Sequence, residues 1–130
     1  MPASEKAILE DIAVRSVYAL GANAASTQYC FRVLQRFLAD GDILELGPAD
    51  GVMTDMLVST GQRVTCVEGA EAFCQSLKAR FPAVDVVHSI FEDYQPGRQF
   101  ANIIMGHVLE HVEDPVAILR QAREWLQPGG

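Results

Sequence analysis

Positive charge is scarce in this chain. Its 130 residues hold 10 Lys and Arg against 17 Asp and Glu, a formal charge of −7, so nothing in it offers the electrostatic footprint that grips a nucleic-acid backbone or an anionic membrane. Paired cysteines are missing too. Cys30, Cys66 and Cys74 are odd in number and widely spaced, which argues against a disulfide framework or a paired-cysteine zinc site and leaves three small residues of a reduced core. No stretch approaches the roughly 18 uninterrupted apolar residues of a membrane span, and the start MPASEKAILEDIAVR lacks the basic, apolar and small-residue sections of a secretory signal. Together these absences predict a soluble, cytoplasmic protein. Internal repeats, low-complexity tracts and charge blocks are absent as well.

What the chain does have is apolar content, 49% of its residues, enough for one domain with a buried core. Four short apolar runs read as strands buried on both faces: 43–46, 64–67, 84–87 and 101–105. Helical patterns separate most of them. A short one covers 51–59, and Ala70, Phe73, Cys74, Leu77 and Phe81 form an amphipathic stripe. Asp114 and Pro115 provide an N-cap and first turn for a helix carrying Val116, Leu119, Ala122 and Leu126 inward. Ahead of the strands, a helix from Ser4 to Leu20 is expected to stop at Gly21. A second, over 26–39, places Cys30, Val33, Leu34, Phe37 and Leu38 on one stripe.

Alternating strands and helices predict an α/β fold, a Rossmann-like parallel sheet with helices on both faces and an N-terminal helical segment. The crevice at the carboxyl ends of the strands then gathers 47–51, Glu68-Gly69, 88–92 and Gly106-His107. Four strands make a small sheet, and the final PGG normally turns a chain into another strand, so the fold reads as truncated before its C-terminal strands.

The stretch DILELGPADG runs from strand into loop like a nucleotide site, but it fails the dinucleotide fingerprint. Glycine is needed at 47, 49 and 52, and the residues are Gly47, Ala49 and Val52. The side chains are wrong for phosphate as well. A carboxylate about 4 Å from a phosphate costs on the order of 4 kcal/mol at an effective dielectric near 20, and the sign reverses for an ammonium or sulfonium. Glu45 and Asp50 therefore favour a cationic ligand, with the helix end left for one carboxylate. Glu68, 21 residues after Gly47, stands where an acid can accept both hydroxyls of a ribose. Ribose, positive centre and carboxylate without pyrophosphate describe S-adenosylmethionine and disfavour a nicotinamide cofactor.

At these residues the chain resembles the class I S-adenosylmethionine-dependent methyltransferases, in particular the small-molecule group with the phrase HVLEHVEDP. The likeness runs from about Ile43 to Gly130 through ELGPADG, VEGAEAF, SIFEDY, GHVLEHVEDP and LQPGG, in that order. It implies that Glu45, Gly47, Pro48, Ala49, Asp50 and Gly51 wrap the methionine end of the cofactor and that Glu68, with Gly69 beside it, takes the ribose. Ser89, Ile90, Phe91 and Glu92 match the stretch that flanks adenine. Ile90 stands where the family often has an aspartate, so backbone groups, Phe91 and Glu92 are expected to read the base.

Gly106 and His107 complete the cofactor edge. Ala49 replaces the family's central glycine, and its methyl group can crowd a close backbone approach. The resemblance further implies residues 1–40 as a helical lid or cap bearing substrate contacts, with Tyr18 and Tyr29 to watch, and residues 41–130 as the S-adenosylmethionine-binding domain.

Methyl transfer from a sulfonium is a direct displacement that needs alignment and, for some acceptors, a base. His107 and His111 are the catalytic candidates. They could also simply pack or cap, and Glu110 between them reads as a solvated or paired carboxylate. Their spacing lacks the HExxH pattern and a third ligand, so no metal is assigned. His88 and Trp125 read as packing or surface residues. The implied partner is a small-molecule acceptor at oxygen, nitrogen or carbon, with no nucleic acid and no membrane; a homodimer is compatible with this reading. The competing reading is a catalytically inactive cofactor-binding remnant or interaction module of the same fold.

Overall fold

The computed structural model describes residues 4–17 and 19–130. Four parallel strands, β1 (Ile43–Leu46), β2 (Val64–Glu68), β3 (Asp85–His88) and β4 (Asn102–Met105), lie in the order β3-β2-β1-β4. The apolar runs identified in the sequence become these strands within a residue or two at each end. β1 is central and wholly buried, which is why its sequence reads as a continuous run rather than an alternation.

The two faces of the sheet bury separate clusters. Ile43, Cys66 and Val86 meet Met53, Leu57, Cys74 and Leu77, contributed by α3 (Val52–Val58) and α4 (Glu71–Arg80). Phe31 and Leu34 of α2 (Gly21–Leu34) extend that layer. On the other face, Leu44, Leu46 and Val67 pack with Tyr94, Phe100 and Trp125, the last from the helix we label α5 (Pro115–Trp125). The Tyr94 and Trp125 rings meet edge to face, 5.3 Å between centroids, a favoured aromatic geometry.

Asp114 caps α5 as expected, its carboxylate accepting the Ala117 N–H at 2.9 Å. Asp114→Ala should cost about 1 kcal/mol, read as a lowered urea midpoint with unchanged slope.

The inward face of α5 matches expectation at Ala122 and differs from it elsewhere. Ile118, Ala122 and Trp125 are buried, whereas Val116 and Leu119 are exposed. Leu126 lies past the helix end in extended conformation, and a parallel bridge sets it beside Phe100. Both stripes have helical spacing, and the sheet buries the one that carries the aromatic Trp125.

The N-terminal helices differ too. α1 (Glu5–Arg15) ends early, capped at its start by the Ser4 hydroxyl on the Ala7 N–H. Gly21 opens α2 instead of stopping the first helix. The chain turns out of α1 at Ser16, whose hydroxyl donates to the Asp50 carboxylate, a tertiary bond that local periodicity cannot show. α2 gives way at Gln35–Phe37 to a tight turn. Of its expected stripe, Leu34 packs on the core as expected, but Phe37 is 80% exposed and Val33 and Cys30 are also exposed, because the helix turns Phe31 inward beside Leu34.

Candidate functional site

A cavity of about 450 Å³ opens at the carboxyl ends of the strands. The loop after β1, the corner after β2, the segment after β3 and the segment after β4 meet there, where parallel-sheet topology puts a ligand crevice. Glu45, Gly47, Pro48, Ala49, Asp50, Glu68, Gly69, Ile90, Phe91, Glu92, Gly106, His107 and His111 all line it. Gly51 is not among the lining residues. Its φ is +79°, and a Cβ there would meet Leu77 Cδ2 at 2.8 Å, so its missing side chain lets the loop seat on α4.

Glu68, 6% exposed, is the polar centre of one end. Its Oε2 accepts the Ala49 N–H at 3.1 Å and its Oε1 the Ala70 N–H at 2.9 Å. One carboxylate thus ties the β1 loop to the β2 corner. Burial raises its pKa, opposed by the N–H groups of Ala70, Ala49 and Gly69. Close by, the His88 ring Nε2 lies 3.0 Å from the Gly69 carbonyl.

Helix α1 docks over this corner. A Cβ on Gly69 would meet Leu9 Cδ1 at 2.5 Å. Glu10 accepts the Glu71 N–H at 2.5 Å and the Ala72 N–H at 3.4 Å, supplying α4 with the cap that its own Ala70 lacks.

The loop itself holds two surprises. Ala49 has φ +48°, the left-handed region that costs an L-residue roughly 1–2 kcal/mol. A glycine serves at this position through backbone freedom, and the alanine adopts the same turn under strain. Ala49→Gly should raise stability by up to about 1 kcal/mol, part of the relief being offset by glycine's unfolded-state entropy, and should tighten ligand binding in a titration. The second surprise is that the loop's amides are largely engaged. Gly47 N–H bonds Val67 O, Gly51 N–H bonds Pro48 O and Ala49 N–H goes to Glu68. The Asp50 carboxylate takes the Ser16 hydroxyl, and its carbonyl takes the Arg80 guanidinium.

At the other end of the loop Glu45 is 3% exposed. Its Oε2 accepts the Thr54 hydroxyl at 2.6 Å and the Cys66 thiol at 3.5 Å. Neither an arginine nor a lysine pairs with it among the described residues, and burial pushes its pKa up to about 7. The sequence alone does not single out Thr54 or Cys66 as site residues. Thr54 does carry a signal: it is the one hydroxyl among the buried residues of α3. Cys66 is found only through register, since β2 pairs it with Glu45.

His107 and His111 also line the cavity, before and on the turn Leu109–His111 respectively. Glu110 Oε1 lies 3.6 Å from His107 Nδ1 and 4.0 Å from His111 Nε2, all three side chains about half exposed. His107 has φ +56°, a strained backbone at the edge of the cavity. Tyr29 is 67% exposed and not part of the lining, and Tyr18 lies outside the described residues. Ile12, Thr27 and Leu34 contribute to the wall from α1 and α2.

Comparison with known proteins settles the family. Residues 22–130 match the methyltransferase domain family. The chain belongs to the class I S-adenosylmethionine-dependent methyltransferases. A probable S-adenosylmethionine-dependent methyltransferase of Mycolicibacterium smegmatis is 30% identical over 82% of this chain and 44% of its own length. A ubiquinone biosynthesis O-methyltransferase of Xanthomonas euvesicatoria is 33% identical over 72% of this chain and 41% of its own. The chain thus spans less than half the length of these two relatives.

Among solved structures, a DhpI-SAM-HEP complex superposes with a TM-score of 0.75 at 25% identity, covering 95% of this chain and 60% of that one. The cofactor of this methyltransferase family is S-adenosylmethionine, and the cavity's chemistry fits it: among the described residues its two buried carboxyl groups, Glu45 and Glu68, have no basic partner and no lysine or arginine lines it, and its volume is about 450 Å³. None of the described helices is long and apolar enough to cross a membrane.

Proposed function

We propose that this methyltransferase chain moves a methyl group from S-adenosylmethionine to a small-molecule oxygen, nitrogen or carbon acceptor by direct displacement. The observation that carries the reading is Glu68, a buried carboxylate whose oxygens are held by Ala49 and Ala70 at the corner of the cavity. In that position it can accept ribose hydroxyls through its remaining lone pairs. Glu45, Gly47, Pro48, Ala49 and Asp50 enclose the methionine end, while Ile90, Phe91 and Glu92 flank adenine and Gly106 and His107 close the edge. When bound, the cofactor supplies an electrophilic methyl group on a sulfonium.

The chain's own residues align the partners and exclude water. Residues 1–40 act as a lid over residues 41–130, with Leu9, Ile12 and Thr27 in the wall. His107 orients the acceptor or takes its proton, and His111 shares Glu110 with it. A cytoplasmic setting fits this chemistry. One relative's name is that of an O-methyltransferase, which supports including oxygen among the acceptor atoms.

The test combines calorimetry with a product assay for S-adenosylhomocysteine across oxygen, nitrogen and carbon acceptors. Binding with turnover is the expected result. Micromolar binding with no product from any acceptor would instead identify an inactive cofactor-binding module.

A further inference from the structure

Glu45 is the one buried carboxylate of the cavity that has two side-chain donors on a single oxygen. Thr54 reaches Oε2 from α3 at 2.6 Å and Cys66 reaches the same atom from β2 at 3.5 Å. Oε1 takes part in neither bond. Among the described residues no fully buried side-chain nitrogen or oxygen lacks a partner, so Oε1 is reached from the cavity that Glu45 lines. Cys66 can only donate, since burial first and the Glu45 charge second hold its thiol far above the ordinary range. Two fixed donors therefore decide which oxygen faces the ligand.

The groups around Glu45 carry no positive charge. Cys66 on β2 and Glu68 at its end are the titratable groups that act on it, and β4 presents Ile104 in register. The remaining titratable groups in the lining are Glu5, Cys30, Asp50, Glu92, His107 and His111. An ammonium arriving opposite Oε1 is thus the first cation the carboxyl group meets, and it favours the ionised form.

The geometry points to Thr54 and Cys66 as positioning residues that present Glu45 Oε1 to the ammonium of the cofactor's amino-acid tail, so that Glu45 releases one proton to solvent when that ammonium is bound. This rests on the placement of the methionine end beside Glu45 argued above. The consequence is proton-linked cofactor binding, with Glu45 neutral in part of the empty population near pH 7 and ionised in the complex.

The probe is S-adenosylhomocysteine, titrated by calorimetry from pH 5.0 to 7.5 in buffers of different ionisation enthalpy. Affinity should rise with pH by up to about tenfold per unit on the acid side, where close to one proton is released per ligand bound, and the rise and the proton release should both fall off above pH 7. 5′-Methylthioadenosine, which keeps the ribose and base but lacks the amino-acid tail, should show no such rise. Glu45→Gln should flatten the profile for S-adenosylhomocysteine. Thr54→Val should weaken binding at pH 7 about fivefold to tenfold and move the midpoint to higher pH, because a donor that favours the ionised form is gone. Thr54→Ser should restore both, and Cys66→Ala should move the midpoint in the same direction by less.

The inference is overturned if S-adenosylhomocysteine binds equally well across the range, if 5′-methylthioadenosine shows the same pH dependence, or if Thr54→Val leaves the midpoint in place. Those results would leave the cofactor site intact. Absence of binding by either ligand at every pH would overturn the site placement itself.

Discussion

Glu45→Gln should make the ligand-free protein more stable at pH 8, by about 3 kcal/mol, and by less than about 1 kcal/mol at pH 5. The carboxyl group is pushed from its ordinary 4.5 up to about 7, chiefly by burial. Between those values the folded chain binds more protons than the unfolded one, so stability falls as pH rises through this window and stays low above it. A gap of about 2.5 units, at roughly 1.4 kcal/mol each, gives about 3 kcal/mol. Glutamine retains an amide oxygen for the Thr54 hydroxyl and the Cys66 thiol without a charge to bury. Urea unfolding at half-unit steps from pH 5 to pH 8 measures it. Parallel profiles for the two proteins would show that Glu45 ionises at its ordinary pKa and that the cavity floor is wetter than the packing implies. The stabilised variant should also bind S-adenosylmethionine more weakly, since the buried charge is stability given up for recognition.

How much of this was legible beforehand follows from which forces set each feature. The strands were legible because β1 lies between two others and beneath helices on both faces, so Ile43, Leu44 and Leu46 had to be apolar together. The carboxylates were legible because α/β topology brings strand ends to one edge whatever the packing: Glu45 and Glu68 both line the cavity. Features set by tertiary choice were not. α5 carries two apolar stripes, and only the sheet decides that Ile118 and Trp125 turn inward while Val116 and Leu119 do not. The end of α1 is marked by Ser16 reaching Asp50, 34 residues away. The roles of Thr54 and Cys66 depend on the β1–β2 register and on the pose of a seven-residue helix. Ala49 departs in sequence by a methyl group, whereas its φ of +48° places the greater burden on the backbone.

Glu68→Ala should weaken S-adenosylmethionine binding by at least about tenfold, the loss expected when a charge-assisted hydrogen bond worth about 1.5 to 3 kcal/mol is removed. The structure adds a second effect. Glu68 holds the Ala49 and Ala70 N–H groups, and truncation strands both amides around a hole beside Gly69, where α1 rests Leu9. Left without its tie, the strained turn at Ala49 should relax, and the cavity should lose the wall that encloses the ribose. The two effects separate in Glu68→Gln. Its amide oxygen can still accept one backbone N–H, but its NH₂ group cannot replace the second acceptor, and the charge is gone. We expect Glu68→Gln to recover most of the folding stability and little of the affinity, whereas a purely structural role would restore both together. Calorimetric titration with urea unfolding on the same preparations reads the two quantities independently. Affinity within about twofold of the parent chain in Glu68→Ala would remove Glu68 from the ribose site and, with it, the orientation assigned to the cofactor.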